Sequence, residues 1–374
     1  MNKLVVFIGL VGQNPHSFES SSRGEGRWAS SLTRMLSEQG KHEIFIAPDT
    51  EECAWGNCKK PKNVTLLQPW EKHHLKDIHF DLAIFTSWVT TTDLRHESRF
   101  INADRYLWGI MGWKQGIMND ELFKDKRDYV IRYIRQNLYN MPDKVNFKDR
   151  CFLLCQPFRK DLEPSKFKKK RIGWVAKEAF LDEMNINNKL GAKRHLFAAV
   201  DACKRTGATL EIFSCHEFDP KVAKAVEELG ILDKLKEIDD QVIMCPGLPF
   251  PEYQEELKKC SITMPVIFAG STQEVLMAGA IPFIHKDNMF ANHPWIKDVV
   301  ADLTFNKISR MQSKGDEKLV MTQEEMADRL VQLLTDECLY EDFLARLRPM
   351  VMDNLDSHVL KQLDTIMKHG KQGG

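Results

Sequence analysis

Residues 270–274, Gly-Ser-Thr-Gln-Glu, set two hydroxyls, an amide and a carboxylate at the opening of a helical segment that runs to Ala278-Gly279. Unpaired backbone N–H groups at a helix start favour an anion such as a diphosphate, and Ser271, Thr272 and Gln273 extend that donor set. Glu274 is acceptor-only when ionised, so it suits a vicinal diol such as a ribose. The same residues have a plainer reading, in which Ser271 or Thr272 caps the helix and Glu274 complements its dipole from the first turn. Local chemistry leaves both open. Gly279 permits close packing, and Pro282 starts the next strand without needing a ladder donor.

Other side chains with chemical capacity lie after expected strands of the first half. His16 and Glu19 follow the first strand, and Asp93 and His96 follow the strand in Asp81–Thr86. Each can act as an acid or base, or can simply hydrogen-bond. Ser87 and Trp88 sit in the same loop. Trp88, Trp108 and Trp113 could stack on a base or sugar, or pack. Cys53, Cys58, His73 and His74 are metal-ligating types, but their gaps fit no standard zinc site.

Strands and helices must position these groups. Lys3–Leu10 is a continuous β-branched and aromatic run, as a central parallel strand requires. A loop rich in Gly and Ser spans Gly12–Gly26. A helix is expected over Arg27–Gln39, with Trp28, Leu32, Met35 and Leu36 on one face and Gly40 at its end. Further strands are expected at Glu43–Ala47, Val64–Leu67, Asp81–Thr86, Arg105–Met111 and Cys151–Leu154, with a helix over Asp125–Leu138. The polar stretch Asp161–Arg171, with a proline and a basic end, reads as a linker. The pattern then restarts. Strands are expected at Arg171–Val175, Thr209–Phe213, Gln241–Met244, Ile262–Val266 and Ile281–Ile284. Helices are expected at Lys193–Lys204, Lys221–Leu229 and Pro251–Lys259, at Thr322–Leu334 behind a Thr-Gln-Glu-Glu capping box, and at Glu341–Lys368. Alternation of this kind means βαβ units and parallel sheets. The expectation is an α/β chain of two tandem doubly wound Rossmann-like domains with a cleft between them: 1–165, 166–350, and a terminal helix in 351–374 packing back on the first. In such sheets ligands sit beyond the carboxyl ends of the strands.

Composition narrows the function classes. The 374 residues are 43% hydrophobic and 28% charged, ordinary for a globular chain able to bury two cores. Lys+Arg and Asp+Glu are both 53, which argues against a protein held on nucleic acid by overall charge and leaves room for a local basic face. No segment approaches the roughly 18 apolar residues of a membrane span. The start, MNKLVVFIGLVGQN, reads as a buried strand, so a cytoplasmic protein is expected. Nine scattered cysteines suit reduced thiols. No Asp-x-Asp motif stands in a suitable loop, so no metal is required.

The stretch GSTQEVLMAGAIPFI, followed by His293-Pro294-Trp295, resembles the nucleotide-sugar signature of retaining GT-B glycosyltransferases. In that family a Glu at the helix start holds the donor ribose and the segment ends in a Gly-x-Pro strand; Glu274, Gly279 and Pro282 match. A second Glu often stands eight positions earlier, where this chain has Val266. RIGWVAK (171–177) falls where the family has a strand ending Ile-Gly-Arg, with Gly173 matching, Trp174 replacing the Arg and Lys177 left as a substitute phosphate contact. KRHLFAAVDA (193–202) falls where the family has a Lys beginning the next helix, which implies Lys193 as diphosphate clamp with Arg194 in reserve. SSRGEGRWASSL (21–32) resembles the Gly-rich loop under the donor, and Gly24 and Gly26 would let backbone approach it.

Within that fold, DLAIFTSWVTTTD (81–93), the 271–286 segment and CLYEDFLARL (338–347) resemble the T-even phage DNA α-glucosyltransferases, which act on hydroxymethylcytosine. Those enzymes carry a His-Asp pair where this chain reads Gly112-Trp113-Lys114. The resemblance implies a metal-independent, retaining transfer from a nucleotide diphosphate sugar, a UDP-sugar above others, with no other cofactor. It implies donor contacts from Gly24, Gly26, Gly173 and 271–274, and catalytic roles among Lys193, Arg194 and Lys177, beside which His16 and Asp93 are catalytic candidates by their position after strands. Acceptor contacts would come from Ser87, Trp88, His96 and Trp113. The acceptor it favours is a hydroxymethylated pyrimidine in double-stranded DNA in an infected host's cytoplasm, the enzyme being a monomer or weak dimer. A cell-surface or small-molecule acceptor, a phosphorylase or epimerase on the same fold, and a non-catalytic binding protein are the alternatives.

Overall fold

The computed structural model describes residues 1–8, 18, 24–48, 53–56, 59–86, 101–109, 125–132, 148–158, 170–176, 186–214, 230–246, 248, 250–265, 270–283 and 322–369. They fall in two compact units, Met1–Lys160 with Met352–Gly374, and Asp161–Val351.

Among the described residues the first unit is built on a seven-stranded sheet. Its strands are β1 (Asn2–Ile8), β2 (His42–Pro48), β3 (Val64–Leu66), β5 (Leu82–Phe85), β7 (Tyr106–Gly109), β8 (Asp128–Arg132) and β9 (Cys151–Leu153), and β4 (His79–Phe80) pairs with β6 (Asn102–Ala103) beside it. The order β3-β2-β1-β5-β7-β8-β9 is parallel throughout, the doubly wound arrangement. Val5, Val6 and Ile8 of β1 are fully buried because a central strand is covered on both faces. Helix α1 (Gly24–Glu38) covers one face with Trp28, Leu32, Met35 and Leu36, all buried, at a 3.6-residue period. Each contributes about 1.5–3 kcal/mol by leaving water. The helix opens three residues earlier than the sequence pattern indicates, so Gly24 and Gly26 stand in its first turn.

Asp125–Leu138 is not the expected helix over its described part. Residues 128–132 form β8, buried between β7 and β9. A short apolar run fits either period, and here the β-branched and aromatic Tyr129-Val130-Ile131 fill an inner strand. The expected helix Glu341–Lys368 is also broken. Helix α7 (Glu337–Leu347) gives way to a 3₁₀ segment Arg348–Asn354 and then α8 (Asp356–Lys368). Pro349 has no N–H to continue the first helix. Helix α8 packs on the first unit through Val359, Leu363 and Ile366. At its start Arg34 meets Asp356 with two contacts of 3.3 Å, and at its end Arg105 donates to the His369 carbonyl at 3.2 and 3.3 Å.

The second unit holds β10 (Arg171–Ala176), β11 (Thr209–Ser214), β12 (Val242–Pro246), β13 (Ile262–Pro265) and β14 (Ile281–Pro282) in the parallel order β12-β11-β10-β13-β14. Its helices among the described residues are α2 (Ile186–Thr206), α3 (Ile231–Leu235), α4 (Phe250–Leu257), α5 (Gly270–Met277), α6 (Gln323–Thr335) and α7. Phe213 and Cys245 of the sheet pack with Cys260 against Tyr253 and Leu257 of α4, Val275 of α5 and Ala278 just after it. The capping box is present as expected: Glu325 N donates to Thr322 Oγ1 at 3.2 Å and Thr322 N to Glu325 Oε2 at 2.6 Å. The linker residues 161–169 and the expected helix 221–229 lie outside the described residues.

Candidate functional site

In each sheet the chain leaves the central strand in one direction and later returns to its other side. That reversal opens a crevice at the carboxyl ends of β10 and β13 in the second unit, and of β1 and β5 in the first. Helix α5 starts five residues after β13, so its first turn is carried to that crevice by the strand before it. Its first turn holds Gly270–Gln273, whose backbone N–H groups have no intrahelical acceptor by helix geometry. The side chains of Ser271, Thr272 and Gln273 lie outside the described residues.

Glu274 is the fifth residue of α5, in the second turn and not the first. It is only 3% exposed, and its carbonyl accepts from Ala278 N at 2.9 Å. A dipole-complementing acid acts from the first turn at the surface, so this placement removes the plain capping explanation for Glu274. The helix ends at Gly279, whose φ of 79° is open to glycine at no steric cost, and Tyr340 Oη donates to its carbonyl at 3.1 Å. Ile281 N and Phe283 N donate inward to Ser261 and Thr263 carbonyls at 2.9 and 2.8 Å. Pro282 between them stands on the strand that is outermost among the described residues, where its missing N–H costs no ladder bond to β13.

Lys193 does not begin its helix. Helix α2 starts at Ile186, so Lys193 is its eighth residue, about 10 Å along the axis. Its ammonium lies over the Phe197 ring, 5.1 Å from the centroid, one turn further from the helix start. The Arg194 side chain lies outside the described residues. His195, which the sequence reading passed over, is fully buried, with its ring 6.2 Å from that of Phe283 just beyond β14.

Gly173 sits within β10, paired with Glu211 on one side and Thr263 on the other. A Cβ there would stand 2.9 Å from Phe213 Cε2 and 3.0 Å from Cys260 Sγ. Packing within the sheet therefore requires a glycine here, a structural reason for the residue that stands beside its expected role under the donor. Gly26 is buried in α1, and Gly24 opens that helix after β1. His16, Asp93, His96, Ser87, Trp88, Trp113 and Lys177 lie outside the described residues, as do Glu19 and Val266.

Trp108 packs instead of presenting a free platform. Its ring stacks on Phe85 at 4.3 Å, and Phe85 on Phe7 at 4.7 Å, a row across β7, β5 and β1. Its Nε1 donates to Asp128 Oδ1 at 3.0 Å. Burial pushes the Asp128 carboxyl up to about 6, against the pull of the Trp108 hydrogen bond.

A second buried carboxylate lies beside Gly173. Glu211 is fully buried, takes Arg171 Nη1 at 3.0 Å, and accepts from Cys245 Sγ at 3.1 Å and Cys260 Sγ at 3.5 Å. Burial first, and Glu211 next, push the Cys245 thiol up to about 12, and burial raises Cys260 as well, so both stay protonated donors. The signal in the sequence was a lone acid in the apolar strand TLEIFS, which burial obliges to find partners. His73 Nδ1 is bonded to the Trp70 carbonyl at 2.7 Å. Among the described residues no group of three or more His, Cys, Asp or Glu could hold a metal ion, and no helix is long and apolar enough to cross a membrane.

No protein-family model matches the chain, and no curated protein matches it by sequence. Solved structures do. Sucrose-phosphate synthase from Thermosynechococcus elongatus superposes with a TM-score of 0.58 at 10% identity, over 100% of this chain and 98% of that one. The E. coli trehalose-6-phosphate protein bound with UDP-2-fluoro glucose gives 0.55 at 11%, over 98% and 99%. A UDP-N-acetylglucosamine 2-epimerase described from Listeria monocytogenes gives 0.55 at 11%, over 100% and 97%. The chain has the GT-B fold. Against a longer protein of that fold, S. aureus TarM, it spans 58% of the length. At these identities the likeness is one of fold: the GT-B fold supplies two Rossmann-like units, and the side chains at each crevice must supply the chemistry.

Proposed function

We propose that this protein is a nucleotide-sugar-dependent glycosyltransferase whose second unit holds a UDP-sugar at the carboxyl ends of β10 and β13. The observation that carries the reading is Glu274, a buried carboxylate in the second turn of a helix that opens at that crevice. It suits the ribose diol, while the backbone of 270–273 meets the diphosphate. Lys193, Arg194 and Lys177 are the cations assigned to the departing diphosphate. Lys193 serves once its ammonium leaves the Phe197 face. The UDP-2-fluoro glucose and UDP-N-acetylglucosamine named for the structural neighbours support UDP as the nucleotide.

Transfer proceeds by front-side displacement with retained anomeric configuration, and the acceptor bound by the first unit is a hydroxymethylated pyrimidine of DNA. The sequence likeness of 81–93 and 271–286 to the phage DNA α-glucosyltransferases supports this acceptor. The second reading is an epimerase acting on the same donor, favoured by the Listeria neighbour.

The test is calorimetric UDP and UDP-glucose binding to wild type and Glu274→Ala, then mass analysis of hydroxymethyl-DNA incubated with enzyme and a panel of UDP-sugars. Binding by wild type that falls at least tenfold in the variant, with a hexose mass added to DNA, is the expected result. Unchanged affinity in Glu274→Ala sinks the ribose assignment. Conversion of UDP-N-acetylglucosamine to its epimer without transfer replaces the reading with the second one.

A further inference from the structure

Among the described residues Trp70 is the most exposed bulky aromatic, at 60%. It is held in place and not loose. Pro69–Asp77 is a 3₁₀ helix, and Leu75, fully buried, pins it to the first unit's core. Its start is closed by a capping box in which Gln68 N donates to Glu71 Oε2 at 2.7 Å. The Gln68 side chain is tied to Cys53 in both directions, accepting from Cys53 N at 3.3 Å and donating to Cys53 O at 3.2 Å. The His73 ring is bonded to the Trp70 carbonyl. An indole is therefore presented to solvent on a rigid base.

The segment follows β3, the outer strand of a parallel sheet, so Trp70 lies toward the carboxyl edge of the sheet. The 3₁₀ helix then runs back toward β4 for about 18 Å at its usual rise. Exposed lysines accompany it. Lys76 is on the helix itself, and Lys59, Lys60 and Lys62 are on the approach to the amino end of β3. Lys60 Nζ bonds the Val64 carbonyl, which places that approach against the same outer strand. Two acids stand on the helix against these lysines, Glu71, which accepts from Gln68 N in the capping box, and Asp77. The chain as a whole is neutral, so an excess of lysines over acids along this outer strand and its following helix, with the exposed indole at the carboxyl end, is a departure from its average.

We infer that this edge of the first unit is a nucleic-acid-binding surface, in which Lys59, Lys62 and Lys76 meet backbone phosphates and Trp70 stacks on an unpaired base. Phosphodiesters match the cations, and an indole face accepts any base without sequence preference. The inference rests on the DNA-acceptor reading above and deepens it, giving the DNA a contact surface on the first unit.

The experiment measures binding of a fluorescent single-stranded 20-mer of unmodified DNA, and of inorganic polyphosphate of similar length, to the full chain at several salt concentrations. The variants are Trp70→Ala, Trp70→Phe and the triple Lys59→Glu/Lys62→Glu/Lys76→Glu. Melting temperature and UDP binding are followed in parallel. Trp70→Ala should weaken oligonucleotide binding by about 5- to 10-fold and leave polyphosphate binding unchanged, with Trp70→Phe restoring most of the loss. The triple variant should weaken both and lower the salt slope by about 2, roughly 0.7 for each phosphate contact removed. Wild type that does not bind the oligonucleotide, or variants that bind it as wild type does, overturn the inference. Equal dependence of polyphosphate on Trp70 overturns the stacking and with it the nucleic-acid assignment. Oligonucleotide binding that behaves as expected in a protein that binds no UDP upholds the surface and removes the glycosyltransferase reading instead.

Discussion

Replacing Asp128 by Asn tests whether Trp108 belongs to the framework of the first unit. Asp128 is 9% exposed and its Oδ1 accepts from Trp108 Nε1 at 3.0 Å. Burial raises its carboxyl from 3.8 to about 6 in the folded protein. The folded state therefore binds the proton more tightly than the unfolded chain. The stability of the protonated group is fully present below about 3.8 and is lost as pH rises through about 6. At pH 7.5 the ionised form costs about 3 kcal/mol. Asn keeps an acceptor for the indole and carries no charge, but it brings an amide that needs partners of its own. Asp128→Asn should thus stabilise the first unit by about 1–2 kcal/mol at pH 7.5 and change it little at pH 4. Urea denaturation followed by tryptophan fluorescence at the two pH values measures this, read on the transition that contains the first unit, since two units need not unfold together. Equal destabilisation at both pH values would refute the reasoning. It would mean that Arg127 and Arg150 together compensate the carboxylate and that charge, not merely an acceptor, is needed beside Trp108.

Gly173→Ala should destabilise the second unit by about 1–3 kcal/mol, because its Cβ meets Phe213 and Cys260 inside ordinary contact distance. Calorimetry on the folded protein should then show UDP affinity unchanged, and a selective loss of UDP binding would assign Gly173 to the donor site. Arg171→Met removes the cation that meets both Glu211 and Glu256 and leaves Glu211 buried, and a loss of about 3–5 kcal/mol in chemical denaturation is expected. His42 is held below its usual 6.5 chiefly by burial, so the unfolded chain takes up a proton that the folded one resists. Stability should fall as pH drops below about 6.5, and His42→Gln should flatten that part of the profile, opposite in sign to Asp128.

Much of the architecture was legible because parallel strands buried on both faces must be continuous apolar runs, as in LVVFI, IFIA and LAIF. The inner face of α1 followed from the spacing of Trp28, Leu32, Met35 and Leu36, and the start of α6 from the reciprocal bonds of Thr322 and Glu325. Those are properties of a residue and its near neighbours in the chain, so periodicity and capping chemistry determine them. The alternation of strand and helix likewise determined the fold class. What the order of residues leaves open is settled by contacts between segments far apart. DYVIR became a strand because two others flank it. Gly173 is required by Phe213 and Cys260, 40 and 87 positions away. Glu211 is tolerated because Arg171, Cys245 and Cys260 converge on it, and Trp108 is a packed ring because Phe85 and Asp128 hold it. Glu274 shows the division most clearly. Its residue type and its helix are readable in GSTQEVLMAGAIPFI, but its burial beside the sheet, which no local pattern encodes, is what separates a candidate ligand-binding carboxylate from a cap.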